Sequence, residues 1–87
     1  MIFLNKNILI ILIKNISVES SYKYINYLGF DISKDQIELV LPILKNNITY
    51  LYNNDIDSLL NKLPKNVTKS TKEQLVKLFN QYIKKEG

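Results

Sequence analysis

The chain has 87 residues, a formal net charge of +4, and neither cysteine nor histidine. These counts exclude disulfides, zinc ribbons and haem ligation, and they remove the side chains most often used as catalytic base or thiol nucleophile. The only glycines are Gly29 and Gly87, so there is no glycine-rich phosphate loop. We therefore expect a protein that is not an enzyme and needs no cofactor, and the lack of cysteine favours the cytoplasm.

Amino-acid usage is biased, because Ala, Arg and Trp are absent while Ile, Asn, Lys and Tyr are abundant. These abundant residues have AT-rich codons, which is typical of a low-GC genome. The positive charge lies in the C-terminal third, since residues 62–86 hold seven lysines and two glutamates. Residues 1–61 hold five lysines and six acidic residues. Codon bias and a functional basic surface both account for this distribution.

The first predicted element is the uninterrupted apolar run of residues 8–13. A membrane span needs about 20 mainly apolar residues, and a signal peptide needs a small-residue cleavage site that is missing here. A buried helix and a buried strand both fit so short a run. Only residues 48–52 offer a strand partner, and two isolated strands are marginal. We predict a helix that lies between other helices or in a dimer interface.

The second predicted helix begins at Ser17, whose hydroxyl suits an N-cap, and ends before Gly29, which suits a left-handed C-cap. Phe30 and Ile32 follow in a short connector and are expected to fill the joint with the next helix. Tyr24 and Tyr27 are predicted to point away from the apolar face. That face consists of Val18, Tyr22, Ile25 and Leu28.

A helix over about residues 33–47 is predicted to be the centre of the fold, with Ser33 and Gln36 forming a capping box. Pro42 falls on its polar side, where it either kinks the helix around the core or marks a hinge or ligand-facing break. Burial around most of this helix is expected to leave no room for a reactive pocket. The apolar positions are Ile37, Leu39, Val40, Leu41, Ile43, Leu44 and Ile48.

Two further helices are predicted, joined to the centre by residues 48–52 as a tight connector or a single helical turn. Asn54 or Asp55 caps a short helix that Pro64 terminates. Val67 anchors the next loop, and Ser70 opens the last helix in a second capping box with Glu73. The prediction is an all-α compact bundle of four to five short helices, one helical domain over residues 1–87.

A calcium loop is the one metal motif to weigh, because Asn53, Asp55 and Asp57 have its first three ligand offsets. Ser58 holds the glycine position and Pro64 the bidentate glutamate position, so the motif is broken. A helix N-terminus explains the acidic residues better. We predict no metal site.

Two binding functions fit the chain, and neither involves a membrane. The first is a protein–protein interaction module, with a homodimer as one form of it, since tyrosines and the first apolar run exceed what a small core hides. Its candidate interface residues are Ile8, Ile11, Leu12, Tyr24, Tyr27, Tyr50 and Tyr52. The alternative is weak, sequence-nonspecific nucleic-acid binding with Tyr82 for stacking, although arginine is absent. Its candidate contacts are Lys65, Lys69, Lys72, Lys77, Lys84 and Lys85.

Several short segments resemble the YqfT-like family of small uncharacterised proteins from low-GC Gram-positive bacteria. The resemblance runs over roughly residues 16–83. It rests on the serine-led helix at 17–27 with Lys23-Tyr24, residues 32–36, residues 45–48, Asn53 before Leu59-Leu60, and residues 78–81. The chain departs from that pattern in lacking Ala in helix interiors and Arg after Leu44. The resemblance implies a helical, intracellular, non-enzymatic protein and carries over no site residues.

Overall fold

The computed structural model describes residues 6–82, and for Lys6 and Tyr82 it describes the backbone alone. Six helices and no strand lie within this range, so the predicted all-α class is confirmed. The predicted helix over residues 8–13 is also confirmed. The helix count exceeds four to five because residues 48–52 form a short helix of their own. The helices are α1 Lys6–Asn15, α2 Val18–Tyr27, α3 Lys34–Asn46, α4 Ile48–Tyr52, α5 Ile56–Asn61 and α6 Lys69–Tyr82.

Helix α3 lies against α1 and α2, as expected of the central element. Helix α1 also packs on α4, α4 on α5, and α5 on α6. Pro42 is exposed and α3 continues through it to Asn46, so its missing N–H falls on the solvent side. The α3 residues that enter the core are Ile37, Val40, Leu41 and Leu44.

The predicted local caps of α2 form as expected. The Ser17 hydroxyl accepts a hydrogen bond from the Ser20 N–H at 3.1 Å. At the other end, Gly29 has φ +93° and donates to the Asn26 carbonyl, while Phe30 donates to the Ile25 carbonyl. These two bonds make a Schellman motif, which needs the left-handed conformation that glycine adopts without strain. Phe30 thereby turns into the core, where it is buried.

The turn between α4 and α5 repeats this geometry with asparagine. Asn54 has φ +58° and donates to the Leu51 carbonyl, and Asp55 donates to the Tyr50 carbonyl at 2.8 Å. The Asp55 carboxylate then accepts from the Ser58 N–H at 3.2 Å and caps α5. The prediction that Asp55 serves a helix N-terminus is confirmed.

Gln36 behaves differently from the prediction. Ser33 caps α3 by accepting from the Gln36 N–H at 3.3 Å, but the Gln36 side chain does not return to Ser33. Its amide donates to the Asn66 carbonyl at 3.1 Å and accepts from the Thr68 N–H at 2.8 Å. The predicted capping box is wrong because the loop before α6 offers both a donor and an acceptor. The glutamine therefore joins two segments distant in sequence.

The start of α6 was also predicted at the wrong residue. The helix begins at Lys69, and the Thr68 hydroxyl accepts from the Thr71 N–H at 3.1 Å and donates to the Thr71 hydroxyl at 2.9 Å. Ser70 lies inside the first turn and is exposed. Val67 is buried at 3% exposure and Thr68 bonds to Gln36, and these two contacts fix the chain here. The N-cap of α6 is therefore Thr68, two residues before the predicted Ser70.

This arrangement predicts unequal effects of two similar substitutions. Thr68→Ala should lower the free energy of unfolding by about 1 kcal/mol, because it removes the N-cap hydroxyl of α6. Ser70→Ala should leave it unchanged or slightly raised, since alanine is the better helix former. Urea unfolding followed by circular dichroism measures the free energy of unfolding of both variants. A larger loss for Ser70→Ala than for Thr68→Ala contradicts the assignment of the cap.

Candidate functional site

An apolar pocket of about 100 Å³ lies between α1, α2, α3 and α6. Its deepest wall includes Ile32 and Phe79, which are 2% and 1% exposed. Its outer wall includes Leu12, Tyr24 and Leu28, which keep part of their surface in solvent. The pocket therefore opens between α1 and α2. The other lining residues are Leu9, Ile13, Ile16, Ser21, Ile25, Ile37, Val40, Leu41, Leu44, Leu75 and Leu78.

The surface that faces the pocket is wholly apolar. Ser21 is the one small polar side chain in the wall, and its hydroxyl donates to the Ser17 carbonyl at 2.8 Å. A water inside would find no hydrogen-bond partners, so hydrocarbon is the material that fits.

Burial of the central helix was expected to leave no room for a reactive pocket. Four α3 residues line this pocket, but its wall presents no polar group, so that expectation stays a prediction. Residue types alone did not reveal the pocket. Its volume depends on how side chains from four helices fit together, and the sequence pattern only marks each of them as apolar.

Helix α1 carries an exposed apolar face. Ile8 is 43% exposed, Ile11 57% and Leu12 37%, whereas Ile10 between them is fully buried. Among the side chains that the structure describes, five large hydrophobic ones are exposed, and three of them belong to this helix. Single exposed hydrophobic side chains are ordinary, but three within five residues of one helix form a patch. We call Ile8, Ile11 and Leu12 the α1 face.

The candidate interface tyrosines do not gather in one place. Tyr52 is 46% exposed on α4, which packs against α1, so it lies on the element next to the α1 face. Tyr27 is 83% exposed at the end of α2. Tyr24 lines the pocket. Tyr50 packs on the core with the Lys62 ammonium 5.9 Å from its ring centre.

The candidate nucleic-acid lysines are distributed over the loop before α6 and over α6. Lys65, Lys69 and Lys77 are exposed and Lys72 is half-buried. Glu73 lies four residues from both Lys69 and Lys77, on the same helix face, so a negative charge interrupts the basic row. Lys84 and Lys85 lie outside the described residues, as does the Tyr82 ring. Nucleic-acid binding stays an untested prediction.

An ion pair joins α2 to α3 on the surface. The Lys34 ammonium lies against the Glu19 carboxylate. The hydrogen bond from Lys34, and then its charge, hold the pKa of Glu19 below its ordinary value, and the same contact raises the pKa of Lys34. The stabilisation from Glu19 is therefore present above its unfolded-state pKa and is lost as pH falls through the lowered one. Both groups are solvated, so this pair has a minor part in stability.

Comparison with protein-family models, curated proteins and solved structures found no match to this chain. The resemblance to the YqfT-like family therefore stays a prediction. Within residues 6–82, no helix has the length and apolar character needed to cross a bilayer.

Proposed function

We propose that the protein acts by binding protein, and that the α1 face binds a second copy of the chain. The observation that carries the proposal is the exposure of Ile8, Ile11 and Leu12 on adjacent turns of one helix. Withdrawing this surface from water is favourable in proportion to its apolar area. The function is binding and not catalysis, and the absence of cysteine supports a cytoplasmic location.

The charge pattern of α1 supports a copy of the same chain as the partner. No charged residue occurs from Asn7 to Ile13, so the centre of a two-fold α1–α1 contact holds no like charges. Lys14 follows at the C-terminal end of the patch. Lys6 precedes the patch, so the charges of α1 lie at its two ends and not at its centre. A two-fold contact of this kind closes with two chains.

The area required means that other residues must take part. A stable interface buries about 800 Å² per partner, which three partly exposed side chains do not supply. Tyr52 is an exposed hydrophobic side chain on α4, a helix that packs against α1. Its ring adds apolar area while its hydroxyl stays in water, as is common at interfaces. We therefore include Tyr52 with the α1 face in the proposed interface.

Sedimentation equilibrium over a concentration series tests this proposal. The native chain is expected to shift from the 10.2 kDa monomer to twice that mass as concentration rises. Ile11→Lys should stay monomeric, because it places two charges in the centre of the interface. Tyr27→Lys is the matched control, since it adds a charge at an exposed site on α2 and should dimerise as the native chain does.

Two outcomes oppose the proposal. If the native chain remains at 10.2 kDa up to about 1 mM, its self-affinity is weaker than about 4 kcal/mol and the α1 face does not bind a second copy. If Tyr27→Lys abolishes the dimer and Ile11→Lys does not, the interface lies on α2 instead.

A further inference from the structure

We propose that the apolar pocket binds the alkyl end of a short- or medium-chain amphiphile, such as an alcohol or a carboxylic acid. The polar head stays in water at the opening between α1 and α2. The deep wall of the pocket belongs to α3, α6 and the α2–α3 connector, outside the α1 face. Leu12 belongs to both the opening and the α1 face, so the proposal concerns the monomer.

The wall decides the chemical class of the ligand. The pocket presents no polar atom, and the hydroxyl of Ser21 is already bonded to the Ser17 carbonyl. Any donor or acceptor carried inside would lose its water partners and gain none. The buried part of the ligand must therefore be hydrocarbon.

The volume decides the size of the ligand. An engineered apolar cavity of about 150 Å³ binds benzene, and the pocket here measures about 100 Å³. If a methylene takes roughly the ~30 Å³ of a water molecule, the space holds about three or four methylenes. A long lipid chain would leave most of its length outside, so a short or medium chain matches better.

The opening decides the orientation of the ligand. Ile32 and Phe79 close the inner end, at 2% and 1% exposure. Leu12 at the outer end is 37% exposed, and Tyr24 and Leu28 beside it are half-buried. A chain enters methyl end first, and its head remains where the wall meets solvent. The partly exposed leucines cover the methylenes next to the head.

Methyl NMR of the full chain, titrated with straight-chain 1-alkanols from propanol to octanol, tests the proposal. Resonances of Ile32 and Ile37, which line the pocket, should shift, while that of the buried Ile56, which does not line it, should stay. Affinity should rise about fourfold for each added methylene while the chain fills the pocket. The increase should level off after about four methylenes.

A matched ligand distinguishes binding in this pocket from nonspecific hydrophobic binding elsewhere on the protein. 1,6-Hexanediol has the chain length of 1-hexanol but must bury a hydroxyl, so it should bind at least tenfold more weakly. Equal affinity for the diol, or equal shifts at Ile56 and Ile32, overturns the proposal. Absence of any shift at millimolar 1-octanol overturns it as well.

A pair of neighbouring substitutions locates the site. Ser21→Leu adds carbon to the pocket wall and should abolish the alkanol shifts, whereas Ser20→Leu adds the same side chain at an exposed position and should preserve them. Retention of the native affinity by Ser21→Leu contradicts the assignment. Should Ser21→Leu fail to fold, the comparison of hexanol with hexanediol on the native chain decides.

Discussion

Ile10→Asp is expected to unfold most of the protein, whereas Ile11→Asp is expected to leave the monomer folded. Ile10 is fully buried and Ile11 is 57% exposed, although they are consecutive members of one apolar run. A carboxylate at position 10 has no partner in the core, and such substitutions cost about 4–5 kcal/mol or more. A chain of this length has about 4–13 kcal/mol of total stability, so little remains.

Urea unfolding followed by circular dichroism measures this difference. Ile11→Asp should stay within about 0.5 kcal/mol of the native chain at dilution, because its carboxylate remains in water. The measurement is made at micromolar concentration, so that loss of the proposed dimer does not enter the result. Equal destabilisation by the two substitutions would mean that α1 is buried on both sides, and the α1 face would not exist.

Phe79→Ala is expected to remove about 3–5 kcal/mol of stability and to enlarge the pocket. Phe79 is 1% exposed, lies on α6 and forms part of the deepest wall. Removal of its ring joins new empty volume to a pocket of about 100 Å³ that already exists. The loss should fall near the upper end of that range, because the cost grows with the volume of the residual cavity.

Chemical rescue distinguishes Phe79 from an ordinary core residue. Benzene should restore part of the stability of Phe79→Ala, by about 2.7 kcal/mol at one hundred times its Kd. Leu59→Ala is the matched control, because Leu59 is fully buried but does not line the pocket. It should lose about 2–5 kcal/mol and gain no more from benzene than the native chain does.

Thermal unfolding with and without benzene measures the stabilisation of Phe79→Ala and of Leu59→Ala by the ligand. Rescue of Leu59→Ala to the same extent would show that benzene acts on the core in general. Asn80→Ala, an exposed neighbour on α6, should change stability by less than about 0.5 kcal/mol and reports any general effect of alanine in this helix.

The local signals in the sequence were enough for most of the helical framework. The caps at Ser17, Ser33 and Asp55 and the left-handed Gly29 were all predicted correctly. Each depends on hydrogen bonds between residues no more than five positions apart, so the participating groups are visible in a short window. The apolar period of the central helix was equally local, and Ile37, Val40, Leu41 and Leu44 are buried as predicted. The predicted burial around most of its circumference is wrong, because Leu39 and Ile43 are only half-buried and the helix buries one face.

Predictions from neighbouring residues were wrong where a group distant in the sequence made the hydrogen bond instead. Gln36 bonds residues 66 and 68, which are 30 and 32 positions away, and the N-cap of α6 is Thr68 and not Ser70. Nothing near Gln36 in the chain indicates that a loop with a free donor and acceptor will lie beside it.

Residue types alone therefore determined that this chain is helical and where most of its helices begin and end. Packing decided the rest. Six consecutive apolar residues in α1 carry no information about which of them face outward, so only the positions of α3 and α4 separate Ile10 from Ile11. The pocket was decided in the same way, because an empty volume is the space left over when side chains from four helices meet, and no single segment contains it.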